Sequence, residues 1–545
     1  MKHILYGVAI IAMLVTLFAC GKGDHGASAA DTLKSDEIAL NQEVDKAQQE
    51  VAKVREDAVA ENKQPQFNTE EYDNIVENRF LTAAQQPLST FSIDVDEAAY
   101  SNIRRYINGG TLPPKGAVRI EEMLNYFDYN YAQPTDGSPF AVYTEISDCP
   151  WNSKHRLVHI GLQGRSIEKQ NLPPANLVFL IDVSGSMDEP NKLPLVKTSL
   201  KLLTDQLRPQ DRVAIVVYAG NAGLVLPSTS GEEKAKIKEA IDNLGAGGST
   251  AGGEGIKLAY ETAKANFKKE GNNRVILATD GDFNVGVSSE DALVTLIEEE
   301  RKSGVYLTVL GFGMGNYKDN KMQQLADKGN GNQAYIDDAT EANKVLVHEF
   351  GSTLFTIAKD VKLQVEFNPS IAKAYRLIGY ENRVMANEDF NNDKKDAGEL
   401  GAGHTVTALY EIIPAGDEDD TMITKVDALK YQAVKTPTSN SGEIMTIKLR
   451  HKEPSGDVSK LITHSVIDEH TALAQTSDNF RFSAAVAEFG LLLRESAFKQ
   501  NANYKQVTEL ANTAKGNDSD GYRSQFIQLV NTASSLDTRK EVSRR

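Results

Sequence analysis

The spacing of apolar residues changes along this chain, and the changes mark out its parts. From Ala175 to about Phe355, short apolar runs alternate with longer stretches of helical period. The runs Leu177–Asp182, Val213–Tyr218, Val275–Thr279 and Val305–Gly311 predict strands. Leu193–Leu207, Lys234–Leu244, Gly255–Ala265, Glu290–Ser303, Asn320–Lys328 and Ala339–Thr356 predict helices. The strands are apolar at nearly every position, as in a parallel sheet covered on both faces. Strand-helix alternation of this kind predicts an α/β fold, a doubly wound and mainly parallel sheet.

After Asp360 the period drops towards two, over Val361–Phe367, Val406–Ile412 and Ile444–Leu449. That pattern predicts antiparallel β structure, a sandwich. Before Ala175 come a strand over Phe91–Asp96, helices over Ala99–Asn108 and Arg119–Tyr129, and strands over Phe140–Ile146 and Leu157–Leu162. If these strands and the later ones form one sheet system, the α/β unit is an insertion in the sandwich; the sequence leaves that open. From Asn479 the period is helical again, with Phe482, Val486, Phe489, Leu491 and Leu492 apolar, and Tyr522–Ala533 predicts a last helix.

The first residues bear on compartment. Lys2 precedes an apolar stretch from Ile4 to Ala19, too short to span a bilayer but suited to a signal peptide. It ends in Leu17-Phe18-Ala19-Cys20-Gly21, which resembles the lipobox of bacterial lipoproteins and implies acylation of Cys20. Two or more acyl chains make a stable anchor. With Gly21 and not Asp after the cysteine, the resemblance favours the outer membrane, with the protein facing the periplasm. The expected organisation is a signal peptide at 1–19, a tether and helical spacer at 20–79, an N-terminal region at 80–174, the α/β unit at 175–357, a β-rich region at 358–470 and a helical region at 471–545.

Composition narrows the partners. A formal net charge of −17, with no basic stretch to offset it, argues against nucleic acid. Apart from Cys20 there is a single cysteine, Cys149, expected to be a small buried hydrophobe beside Pro150-Trp151.

The candidate chemistry lies at the ends of the α/β strands. Asp182-Val183-Ser184-Gly185-Ser186 follows the first of them, where ligands bind in open α/β sheets. One carboxylate and two hydroxyls are hard oxygen donors of the kind Mg²⁺ takes. Thr250, in a glycine-rich loop, and Asp280, in Thr279-Asp280-Gly281, extend the set. Helix capping explains any one of these elements but not three separate loops. Asp94 and Asp96 are read as an exposed strand face and a helix N-cap, with cation binding as the alternative.

Asp182-x-Ser184-x-Ser186 with Thr250 and Asp280 resembles the metal-ion-dependent adhesion site of von Willebrand factor type A domains. The resemblance implies that these five residues hold Mg²⁺, or Mn²⁺ or Ca²⁺, and that a protein partner's carboxylate completes its coordination. The flanking stretches 88–96, 125–129, 375–383 and 402–411 look like the bacterial YfbK-type lipoproteins, which carry a central type A domain. A metal-dependent hydrolase and a purely structural metal are the alternatives. Gly311-Phe312-Gly313-Met314-Gly315 lacks the third glycine of a dinucleotide fingerprint and reads as a tight turn, and the chain has no phosphate-binding GK[ST] loop. No nucleotide and no enzymatic activity are expected.

Overall fold

The structure is a computed structural model that describes residues 70–544, except 220, 248–251, 282–289, 350–354, 396, 418–420, 424–440 and 455. Expectations for Cys20, Thr250, the signal peptide and most of the tether therefore fall outside the described residues.

The chain opens with strand β1 (Leu88–Ser92), helices α1 (Ala98–Asn108) and α2 (Ile120–Asn125), and strands β2 (Phe140–Cys149) and β3 (Asn152–Gly164). The α/β unit follows as β4 (Ala175–Asp182), α3 (Leu193–Gln206), β5 (Arg212–Ala219), β6 (Asn221–Ser230), α4 (Lys234–Asp242), α5 (Gly252–Ala265), β7 (Asn272–Thr279), α6 (Glu290–Arg301), β8 (Val305–Phe312), α7 (Asp319–Lys328), β9 (Gln333–Ile336) and α8 (Ala339–Asn343). Five longer strands come next: β10 (Thr356–Phe367), β11 (Ala372–Ile378), β12 (Thr405–Pro414), β13 (Glu443–Lys452) and β14 (Ser459–Ile467). Helices α9 (Asp478–Leu493), α10 (Tyr504–Thr513) and α11 (Tyr522–Arg544) close the chain.

In the α/β unit the strand order is β9-β8-β7-β4-β5-β6, parallel throughout except for the antiparallel edge strand β6. Every residue of β4 and β7 is buried. Leu177, Phe179 and Ile181 face one side with α3 and α4 residues such as Leu200 and Ile237, while Val178 and Leu180 face α5, α6 and α7 on the other. The sheet is thus doubly wound, as its unbroken apolar strands require.

The remaining strands form two antiparallel sheets. One has β11, β12, β3 and β2 in that order, so strands from before and after the α/β unit pair directly, Leu409 lying opposite His159. The other has β10 between β1 and β13, with β14 outermost. Their facing sides share a core in which Phe367 stacks on Tyr375 with ring centroids 3.9 Å apart. Helices α1, α2, α9, α10 and α11 gather into a separate core that also takes Leu157, Ile378 and Leu409 from β3, β11 and β12. Cys149 is buried and free.

Three expectations need correction. The segment expected to be one helix over Ala339–Thr356 leaves α-helical form at Asn343 and passes through a π-helical turn, Lys344–His348; Thr356 already begins β10. The helix expected over Arg119–Tyr129 is limited to Ile120–Asn125. Asp96 is not on an exposed strand face: β1 ends at Ser92, and Asp96, 2% exposed, accepts from the Gln333 backbone N–H and pairs with Arg383. The helix cap position belongs to Glu97, whose side chain makes no capping bond. Arg383 also pairs with the partly exposed Asp94 and Asp327.

Candidate functional site

Asp182 is the last residue of β4, the central strand, and Asp280 follows the end of its neighbour β7. Parallel pairing in register brings these two strand ends side by side, since Ile181 lies opposite Ala278. Both carboxylates are fully buried. After Asp182 the backbone turns at once: Ser184 N–H donates to Asp182 Oδ1 at 2.9 Å, and a short 3-10 turn, Gly185–Asp188, carries Ser186 outward. The Ser184 and Ser186 hydroxyls lie 3.0 Å apart, the first buried and the second exposed. The cluster therefore has a dry floor of acids and an open mouth of hydroxyls.

The structure thus gathers Asp182, Ser184, Ser186 and Asp280 at one crest. Thr250 is outside the described residues; the last described residue before it, Gly247, donates its N–H to the Val183 carbonyl at 2.7 Å.

Three further side chains belong to the site. Thr279 Oγ1 donates to Asp182 Oδ2 at 3.4 Å and accepts from Gly281 N–H at 3.2 Å. Tyr218, from β5, is buried beside Asp182 and interacts with it electrostatically. Helix α5 can close over that tyrosine because Gly255 has no side chain; a Cβ there would come within 2.8 Å of the Tyr218 Cβ. The third is Lys192, whose buried Nζ donates to Asp280 Oδ2 at 3.1 Å. Room for it comes from the glycine turn after β8: Gly313 has φ +79°, and a Cβ there would lie 2.4 Å from the Lys192 Cε. The expected tight turn is present, and its use is to admit this ammonium.

The two acids differ in their partners. Asp280 has Lys192, whereas among the described residues the donors to Asp182 are neutral, the Ser184 N–H and the Thr279 hydroxyl. Burial, with a smaller push from Asp280, raises the Asp182 carboxyl to about 6, although the Ser184 bonds pull it down. A buried carboxylate without a cation is costly, and a divalent ion at the strand ends would relieve it. The donors are all oxygens, which fits Mg²⁺ and not a thiolate or imidazole metal. Among the described residues no group of three or more His, Cys, Asp and Glu side chains is placed to hold a metal, so this cluster depends on its hydroxyls.

Sequence reasoning missed Lys192, Thr279 and Tyr218. Thr279 was legible in principle, one residue before Asp280 at a strand end. Lys192 carries no local signal, being one basic residue among 59.

Comparison with known proteins follows this architecture. The family model "von Willebrand factor type A domain" matches residues 176–349, "Uncharacterized protein YfbK, C-terminal" matches 352–536, and "von Willebrand factor" matches 66–159. Type A domains commonly mediate protein–protein interaction. An uncharacterised protein of Synechocystis sp. is 28% identical over 190 residues, 35% of this chain and 44% of that protein. A solved von Willebrand factor type A structure from Catenulispora acidiphila covers 73% of this chain and 91% of its own, with 16% identity and a TM-score of 0.37. The uncharacterised protein YfbK of Escherichia coli (strain K12) is 43% identical over 474 residues, which span 85% of this chain and 81% of that protein. With a type A domain set between matching flanks, the chain belongs to the YfbK family.

Proposed function

We propose that this chain is a non-catalytic envelope lipoprotein that docks a protein partner through a divalent cation, Mg²⁺ by preference, at the crest of its type A domain. Asp182, Ser184, Ser186, Thr250 and Asp280 hold the ion. Cys20 carries the lipid anchor, with the protein on the periplasmic side of the outer membrane. The observation that carries the reading is the fully buried Asp182 carboxylate, which forms no ion pair with a cation among the described residues.

The division of labour follows from the geometry. The ion, when bound, supplies an electropositive centre for a partner's carboxylate. Asp182 and Asp280 set the negative floor, and Lys192 neutralises part of it by pairing with Asp280. The ion therefore keeps more of its attraction for an incoming carboxylate. Ser184 and Ser186 add oxygen donors without adding charge, and the exposed Ser186 marks the side from which a partner approaches. In a partly dehydrated site such a contact is stronger than at an open surface. Lys192, the basic side chain bonded into the cluster, is held by Asp280, so the arrangement suits docking better than activation of water.

Affinity capture with the full-length lipoprotein tests this reading. Partners recovered in Mg²⁺ should be lost with EDTA and with Asp182→Ala. Recovery unchanged by both would contradict it.

A further inference from the structure

A second candidate site lies at the other end of the same strands. Arg274 is the third residue of β7, six residues before Asp280, which places it roughly 20 Å from the crest at strand spacing. Here the chain encloses a cavity of about 530 Å³, within the range of small-ligand sites. One wall is the α/β sheet, with Arg274, Ile276 and Thr308; the other walls come from the stretch after β1 and the loops around Arg383 and Glu399.

The charges around this cavity are unevenly satisfied. On one side Arg383 bonds Asp94, Asp96 and Asp327 at 3.0–3.3 Å, so each acid there is ion-paired. Arg274 is not. Its residue is 1% exposed, Nη1 donates to Thr308 Oγ1 at 2.7 Å, and the buried Nε has no hydrogen-bond partner. No carboxylate among the described residues forms an ion pair with it. The guanidinium lies 5.8 Å from the centre of the Tyr306 ring, a weak substitute. Glu399 attracts it through space but accepts its own hydrogen bond from Asn330 Nδ2 at 3.3 Å. An arginine offers five donors in a planar fork matched to an oxyanion, and burying one without that partner is costly. Beyond it, Ile276, Leu203 and Val345 give the cavity an apolar lining.

We propose that this cavity binds a small organic anion, an acid group on an apolar body, and that Arg274 takes the acid group. The ligand would sit between the α/β unit and the strands that flank it, apart from the crest and independent of its cation.

Calorimetric titration of the full-length chain in detergent, with benzoate, phenyl phosphate and acetate as probes, tests the proposal. Benzoate or phenyl phosphate should bind saturably at one site, in EDTA as in Mg²⁺, and more tightly than acetate. Arg274→Met should weaken that binding by about tenfold or more, and Thr308→Val by about threefold. Binding of benzoate alone assigns a carboxylate ligand, and of phenyl phosphate alone a phosphate ester. Absence of saturable binding by both, or acetate binding as tightly as they do, overturns the proposal. So does binding unchanged in Arg274→Met; if that variant does not fold, unchanged binding in Thr308→Val has the same force.

Discussion

Two buried acids in this molecule have opposite fates. Glu411, on β12 in the flanking sandwich, is fully buried, and so is Asp182 at the crest of the α/β sheet. Glu411 accepts from His155 Nδ1 at 2.6 Å, Arg376 Nη2 at 2.8 Å and Gln500 Nε2 at 3.1 Å. Although burial alone would raise it, Arg376 and His155 hold its carboxyl below the usual carboxylate range. Asp182 is raised to about 6. In the sandwich, Arg376 balances its buried acid, whereas among the described residues no cation pairs with Asp182. That contrast, more than the motif itself, supports the proposed cation site.

The contrast is best broken from the sandwich side first. Glu411→Gln strands the Arg376 guanidinium in the interior and should destabilise the chain by about 3–5 kcal/mol, read from the midpoint of urea unfolding. A loss under about 1 kcal/mol would mean that the network contributes little.

Glu488 on α9 sharpens the comparison with an acid that the helical core leaves half satisfied. Its Oε1 accepts from Asn503 N–H at 3.0 Å, Oε2 has no partner, and burial raises the carboxyl from 4.5 to about 7. Because the folded value is the higher one, the folded state favours the proton. The stabilising contribution is complete below about 4.5 and is lost as pH rises through 7. Glu488→Gln should therefore gain up to roughly 3 kcal/mol at pH 8 relative to the parent, and almost nothing at pH 4. Equal unfolding midpoints at pH 8 would contradict this.

A gain of similar size is expected at the crest. Without divalent ions, Asp182→Asn removes a buried charge whose folded carboxyl value is raised from 3.8 to about 6, so stability at pH 8 should rise by up to roughly 3 kcal/mol. A loss like that of Glu411→Gln would show that Asp182 is structural.

The sequence was most legible where burial is two-sided. β4, β5, β7 and β8 announced themselves as apolar runs, and Asp182, Ser184, Ser186 and Asp280 were readable because a parallel sheet delivers its strand ends to one crest. β6 was not legible. It is an edge strand with Leu224 and Val225 exposed and Pro227 within it, so it needs no regular alternation. β14 is mostly exposed and β9 has four residues, too short for any period. The helix expected over Ala339–Thr356 failed because an apolar run does not say where helix gives way to strand. Lys192 and Arg274 were illegible for another reason: what they do depends on what they lack or meet in space, and no spacing records that.

The central claim is that the crest holds a divalent cation which the chain itself does not replace. Calorimetric titration of the metal-free full-length chain with Mg²⁺ tests it most directly, with Asp182→Asn alongside. We expect one saturable site, lost or weakened by at least about tenfold in the variant, together with a rise in unfolding temperature for the parent alone. No binding by the parent, or equal binding by both proteins, would contradict the account.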